Sequence, residues 1–502
     1  MRTFALLAAF LFGAVIAGPV QPAGAATLRL AVTALPIQLG HPYRSVGVPG
    51  VFILNAIFDA LTNIGADGEP QPWLAIGWEQ ETPVTWVFRL RPNVTFSNGA
   101  PFNADAVVKS VQYLISPEAS GDFVATEFRN VAGIAARDPL TVVFTLRAPD
   151  VLFPRLVSIL NIVEPGAWAA GREAFAKQPV GTGPFSVQAW RPAGASLVAF
   201  KKSWRAPKVD GVEVLALPDA TSRVQGLLSG RIDLAMILDP DKTDAIEGAG
   251  HRMLVYPLGG VMGLAFVTTK PETPVADVRV RQALNYAVNK ERIVAGLLGG
   301  AGRPSGQPAT HSSFGYNPNV APYPFDPAKA RALLKDAGYE KGLALLAETV
   351  PGTIAADAQV FEQVASDLAK VGVTLTLRVT TFPTFSKHVR RGGWDGDAYG
   401  MYYNADPFLD PMRPLKSHSC LWEKPWYCDQ AIMPTIANAL AARDVATRTR
   451  LTQEVMARYH DQAASLFLYE VSGYMGMAAR VQNFRIANNF MYLHDVTLAG
   501  GP

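Results

Sequence analysis

Cysteine is nearly absent from this chain. Among 502 residues there are two, Cys420 and Cys428, both in "CLWEKPWYC". That number is too small for a disulfide-stapled scaffold or a cysteine-ligated metal cluster. Histidine is sparse and scattered, at 41, 251, 311, 388, 418, 460 and 494, and no two stand at metal-ligand spacing. His418 lies two residues before Cys420, but a cysteine consumed in a disulfide is no metal ligand. The catalytic signatures are missing as well: no H-E-x-x-H, no G-x-x-x-x-G-K-[ST], no G-x-S-x-G and no G-x-G-x-x-G. Charge of one sign is also lacking. Lys and Arg total 45 against 42 Asp and Glu, a net of +3, so nothing points to nucleic acid or an acidic membrane as a partner.

What the chain does have begins at its N-terminus. Arg2 precedes an apolar run from Phe4 to Ala17, then a Gly/Pro break, then Ala23-Gly24-Ala25 before Ala26. This is the pattern of a secretory signal peptide over residues 1–25, with cleavage near Ala25/Ala26. The run is too short to span a bilayer comfortably. Alanine, not cysteine, stands directly after the cleavage site, so no lipid anchor is expected. The remaining chain of about 477 residues corresponds to about three domain-sized units. In an oxidising compartment Cys420 and Cys428 are expected to pair, and closing so short a loop stabilises by about 2–3 kcal/mol.

The first half reads as strands with a few helices. Thr85–Arg91 alternates, with Trp86, Phe88 and Leu90 on one face; Thr141–Arg147 does the same with Val142, Phe144 and Leu146. Between them, Asn103 caps a helix whose apolar face carries Val107, Val111 and Leu114. The second half alternates helix and strand. "DVRVRQALNYAVNKERIVAGLLGG" reads as one helix from Asp277 to the Gly299-Gly300 stop. "DPAKARALLKDAGY" starts at Asp326-Pro327 and ends at Gly338. "ADAQVFEQVASDLAKVG" feeds the alternating strand Val373–Val379.

The segment "TWVFRLRPNVTFSNGAPFNADAVVKSVQYL", Thr85–Leu114, closely resembles the signature of the peptide/nickel-type (family 5, dipeptide/oligopeptide-like) substrate-binding proteins of bacterial ABC importers. "GTGPF" with Trp190, "VRVRQALNYAVNKERIV" and "YPFDPAKARALLKDAGY" follow in that family's order. The residues of the signature also have structural work to do. Asn98-Gly99 makes a turn, and Pro101-Phe102 sets the entry to a helix. The resemblance implies an α/β, periplasmic-binding-protein-like fold of two hinged lobes, with an extra α+β subdomain in the first. Residues 26–262 would form lobe I, including the extra subdomain at about 60–175, with 472–502 completing it; residues 263–471 would form lobe II. The crossings fall at Tyr256–Phe266 and Leu468–Gly476. It further implies a periplasmic, non-enzymatic, monomeric protein without cofactor. Its partners would be a small solute or peptide, an inner-membrane permease and that permease's ATPase.

In peptide-binding members of the family a cleft aspartate follows an aromatic segment and pairs with the ligand's α-amino group. "GMYYNAD", Gly400–Asp406, resembles that segment, with Asp406 in the aspartate's place. Tyr402, Tyr403 and Asn404 join it as expected ligand contacts, with Tyr43 and Arg44 from the other lobe. Asp410, before Pro411, reads as loop structure. Dipeptide binders also carry a carboxylate-binding arginine in the segment corresponding to Leu345–Gln359, and this chain has no Arg or Lys there. A dipeptide held at both termini is therefore not expected. The ligands left open are a longer peptide, an amine-bearing solute, a saccharide and a nickel-type metal chelate. The competing class is an exported hydrolase using Asp406 and Asp410 as acid and base.

Overall fold

The computed structural model describes residues 26–44 and 47–499. The leader expected over 1–25 lies outside them. An 11-stranded mixed sheet runs through the molecule. From one edge its main path is Val373–Val379, Leu343–Thr349, Ala398–Asn404, Arg252–Phe266, Ser465–Met477, Leu234–Ala235, Thr27–Val32, Gly211–Ala216, Gly194–Ala199 and Phe185–Arg191. Parallel pairs lie on both sides of the centre: Thr27–Val32 with Gly211–Ala216, and Leu343–Thr349 with both Val373–Val379 and Ala398–Asn404. Sixteen α-helices cover the sheets among the described residues.

The two longest strands, Arg252–Phe266 and Ser465–Met477, pair antiparallel at the middle of the sheet. They also join two hydrophobic cores. Tyr256, Tyr474 and Met475 belong to the core that holds Leu28, Phe88 and Val212. Met262, Leu264, Leu468 and Val471 belong to the core that holds Val280, Leu345 and Phe361. Leu258 packs against both. The pairing register shifts between Pro257 and Val261, so the ladder is interrupted where the chain leaves one core for the other. A bulge there bends and twists the strand. This is a two-lobe architecture with the seam at residues 258–260.

Local signals account for the elements around the seam. A separate four-stranded antiparallel sheet contains Thr85–Leu90 and Thr141–Leu146, and the alternating residues Phe88, Leu90, Val142, Phe144 and Leu146 are buried. Asn103 caps its helix by accepting from the Asp105 and Ala106 amides. Asp277 and Asp326 do the same for Arg279 and Lys329. The helix expected to run unbroken from Asp277 is in fact two, Val278–Ala287 and Lys290–Leu297. Val288 is extended, and the Asn289 side chain accepts from the Arg292 amide. An asparagine side chain competes with the helical ladder and starts a new helix instead. Cys420 and Cys428 are bonded.

Candidate functional site

The strand Ala398–Asn404 pairs with the seam strand, Tyr402 opposite Met262 and Asn404 opposite Gly260. Successive side chains on a strand point to opposite faces. Tyr403 accordingly turns into a core with no exposure, where its hydroxyl meets His418 and Ser465. Tyr402 faces the other way, onto a cavity of about 580 Å³. That cavity draws its walls from both lobes and the seam. Arg44, Phe52 and Phe123 come from one side; Phe382, Asp406 and Arg413 come from the other; Tyr256, Leu258 and Tyr474 stand on the crossing strands. Two further chambers adjoin it. One of about 760 Å³ shares Phe123, Tyr402, Asn404 and Arg413. One of about 280 Å³ shares Thr353, Phe382 and Tyr402.

Asp406 lies at the seam, just past the strand end, and only 9 % of its surface is exposed. The register shift opposite Gly259 leaves that glycine's amide out of the ladder with Ser465–Met477. The amide donates instead to Asp406 Oδ2, at 3.3 Å. The Asn489 side chain, from the C-terminal segment, donates to the same oxygen at 3.0 Å. Gly259 is required for this approach: a Cβ there would sit 2.0 Å from Asp406 Oδ1 and 2.4 Å from a Leu409 methyl. Burial pushes the Asp406 carboxyl up to about 6, partly opposed by the Gly259 amide, the Arg413 charge and the Asn489 hydrogen bond. Burial also raises the Tyr256 and Tyr402 phenols, and the Asp406 charge adds to it. Both therefore remain neutral at physiological pH.

Four polar atoms in this one cavity are shielded from solvent and have no hydrogen-bond partner among the described residues: Asp406 Oδ1, Asn489 Oδ1, Tyr402 Oη and Arg413 Nε. Buried polar atoms are ordinarily paired, because leaving one unpaired costs about 1–3 kcal/mol. The two acceptors and the hydroxyl gathered in one cleft make a hydrogen-bonding site that the chain itself does not satisfy. The Arg413 charge is shared: its Nη1 donates to the Asn404 carbonyl at 3.2 Å, and Glu127 of the opposite lobe lies 3.5 Å from its Nε.

The other expected contacts divide. Asn404 lies on the wall, but its side chain accepts from the Asp406 amide at 2.8 Å and so shapes the loop. Arg44 also lies on the wall, half-exposed, with its guanidinium 2.6 Å from the Asp122 carboxylate. Tyr43 is not on it. The ring is fully buried, stacked on Tyr113 and edge-on to Trp168, and its hydroxyl donates to the Asn161 carbonyl. Tyr43 and Tyr403 are core residues, because each occupies the strand or turn face that the fold encloses. Asp410 sits on the 760 Å³ chamber, accepting from the Met412 amide and from Arg448 at 3.0 Å each. Its oxygens are therefore engaged within the fold, on a chamber that Asp406 does not line. In the stretch without Arg or Lys, Thr353, Ile354 and Ala355 contribute only small and apolar wall.

Sequence reasoning missed Tyr256, Phe123, Phe382, Arg413 and Asn489. Arg413 carried the one usable signal, a cation seven residues after Asp406, in the helix Met412–Ser417 that follows the loop. Among the described residues there is no group of three or more His, Cys, Asp or Glu able to hold a metal ion, and no helix long and apolar enough to cross a membrane.

Known proteins share this architecture. The family model for bacterial extracellular solute-binding proteins, family 5 middle, matches residues 69–419. The nickel-binding periplasmic protein of Escherichia coli (strain K12) is 26% identical over 470 residues, 88% of this chain and 88% of that one. Heme-binding protein A of Haemophilus influenzae is 28% identical over 456 residues, 82% of this chain and 81% of that one. The structure of the ABC transporter-associated periplasmic binding protein DppA from Helicobacter pylori in complex with peptide STSA superposes with a TM-score of 0.74 at 21% identity, over 94% of this chain and 98% of that one. A two-lobe fold with an unsatisfied polar cleft at its seam, and a family match over most of the chain, lead to one conclusion: the protein belongs to the family 5 bacterial extracellular solute-binding proteins of ABC importers.

Proposed function

We propose that this protein captures a small solute bearing a cationic amine, a peptide or peptide-like amine, between its two lobes in the periplasm, and delivers it to an inner-membrane permease and its ATPase. The observation that carries this reading is the pair of unpartnered acceptors, Asp406 Oδ1 and Asn489 Oδ1, in one cleft. An ammonium entering there replaces lost water with a carboxylate and an amide oxygen. Such a charge-assisted bond is worth about 1.5–3 kcal/mol net. Tyr402 and Tyr256 add ring faces suited to a cation. Asp406 and Asn489 come from segments that the seam strands separate, so the full set of contacts exists only with the lobes together. Ligand then favours the closed form by the difference in its affinity for the two states, with the hinge at Leu258–Gly260, where the ladder to Ser465–Met477 is interrupted, and at Val471 opposite them.

Native mass spectrometry of the protein purified without refolding tests the ligand class. An amine-bearing adduct is expected, and a metal chelate or neutral saccharide in its place would overturn this reading. Small-angle scattering tests the motion: the amine ligand should reduce the radius of gyration, and an unchanged radius would remove hinge closure from the mechanism.

A further inference from the structure

The 280 Å³ chamber beside Tyr402 differs from the rest of the cleft. Its walls are Met262, Phe361, Phe385, Val389, Tyr399 and Trp426, with Gly400 and Met401 between them. The polar groups on its surface are already consumed within the fold. The Asp357 carboxylate accepts from the Gly352, Thr353 and Ile354 amides. The Thr353 and Ser417 hydroxyls donate to the Val350 and Pro414 carbonyls. The Tyr399 hydroxyl meets the Met401 sulfur, and the Trp426 indole N–H donates to His418. The exception is the unpartnered Tyr402 hydroxyl, at the wall shared with the main cleft. A space of this kind is poorly hydrated, and water placed in it finds few hydrogen bonds.

From this geometry we infer that the chamber is a specificity pocket for an aromatic or comparably bulky apolar substituent on the solute whose amine meets Asp406. The inference rests on the amine reading above and narrows the ligand class. Size supports the assignment: a dry apolar cavity of about 150 Å³ holds benzene, so 280 Å³ accommodates a bicyclic ring such as indole. Continuity supports it too, since Thr353, Phe382 and Tyr402 border both the chamber and the cavity that contains Asp406. Every lining residue falls between 262 and 426, so the pocket belongs to one lobe and exists before the lobes meet. One wall is the helix Phe382–Arg391, which has no fully buried residue of its own and presents Phe382, Phe385 and Val389 to the chamber. The apolar group would thus dock first, against a single lobe, and hold the amine where closure completes its contacts.

Three probes separate the pocket from the amine site: L-tryptophanamide, L-phenylalaninamide and glycinamide, titrated calorimetrically into the full protein. The two aromatic amides should bind at least about tenfold more tightly than glycinamide, the effect of burying an aromatic side chain. Val389→Trp, which fills the chamber from its exposed helix, should bring that ratio down toward unity; Phe385→Trp does the same from a second position should the first variant not fold. Equal affinities in the unmodified protein would overturn the pocket. So would an aromatic preference that survives the filled variant, or failure of all three probes to bind at about 10 mM. Asp406→Asn reads the other half. Weakening of all three probes supports the amine site, whereas an unchanged set with an intact aromatic preference removes the amine reading and leaves the pocket.

Discussion

Replacing Asp406 by Asn should make the empty protein more stable and the binding protein worse. The carboxyl sits at about 6 when folded against 3.8 in the open chain. The folded state therefore keeps its proton to higher pH than the unfolded state does. This group's stability contribution is fully present below 3.8 and is lost as pH rises through 6. By neutral pH the loss amounts to about 3 kcal/mol, and at pH 4.5 it is about 1 kcal/mol. An asparagine keeps the oxygen that accepts from Gly259 and Asn489 and carries no charge to bury. With an unfolding entropy of about 2.1 cal/mol/K per residue, the expected rise in Tm is about 3 °C at pH 7.5 and about 1 °C at pH 4.5. The same substitution should weaken an amine ligand by about tenfold or more, the worth of a charge-assisted hydrogen bond. Differential scanning fluorimetry at the two pH values, with calorimetric titration of the co-purified amine or of L-tryptophanamide, measures both. A Tm gain that does not depend on pH, or a mutant less stable than the parent at pH 7.5, would refute the buried-charge argument. Unchanged affinity would refute the anchor.

Amine affinity of the unmodified protein should fall about tenfold for each pH unit below 6, because the ligand selects the ionised carboxylate; titration near pH 6 in buffers of different ionisation enthalpy should report release of about half a proton. Gly259→Ala places a methyl against Asp406 Oδ1 and Leu409, so it should lower stability by about 1–3 kcal/mol and weaken the amine with it; thermal melts and titration that match the parent would show that the loop yields freely. Cys420→Ser with Cys428→Ser should lower stability by about 2–3 kcal/mol and leave affinity within about twofold, since neither cysteine lines the cleft; lost binding at unchanged Tm would contradict a structural role.

Short-range physics made much of this fold legible. Asn103, Asp277 and Asp326 each cap the helix that follows because a side-chain oxygen two or three residues ahead of a free amide can reach it. The alternation in Thr85–Arg91 and Thr141–Arg147 is a direct image of one buried face. The break at Val288–Asn289 was harder, since Asn is compatible with a helix and equally with its start. At the candidate site, Asp406 stands out only because Gly400–Asp406 resembles the family's cleft segment, and the sequence does not say which tyrosine lines the cavity. Both faces of a central strand are covered, so period 2 separates Tyr402 from Tyr403 without saying which side is the cleft. The Asp406 partners were beyond reach for a different reason. Gly259 and Asn489 are 147 and 83 residues away, and only the meeting of three segments at the seam brings them together.

That meeting explains why a costly charge stands where it does. Asp406 Oδ2 is held by the seam strand through Gly259 and by the C-terminal segment through Asn489. The carboxylate is thus fixed at the junction around which the lobes would turn, and any opening that draws Asn489 away removes one of the hydrogen bonds favouring its ionised form. On the proposed reading, closing on an amine would restore that bond and add the counter-charge. Ionisation, ligand capture and lobe closure would then reinforce one another, because each favours the same arrangement of the same oxygen atoms. An apolar residue at position 406 would make a more stable protein, but it would leave closure indifferent to the presence of a cation.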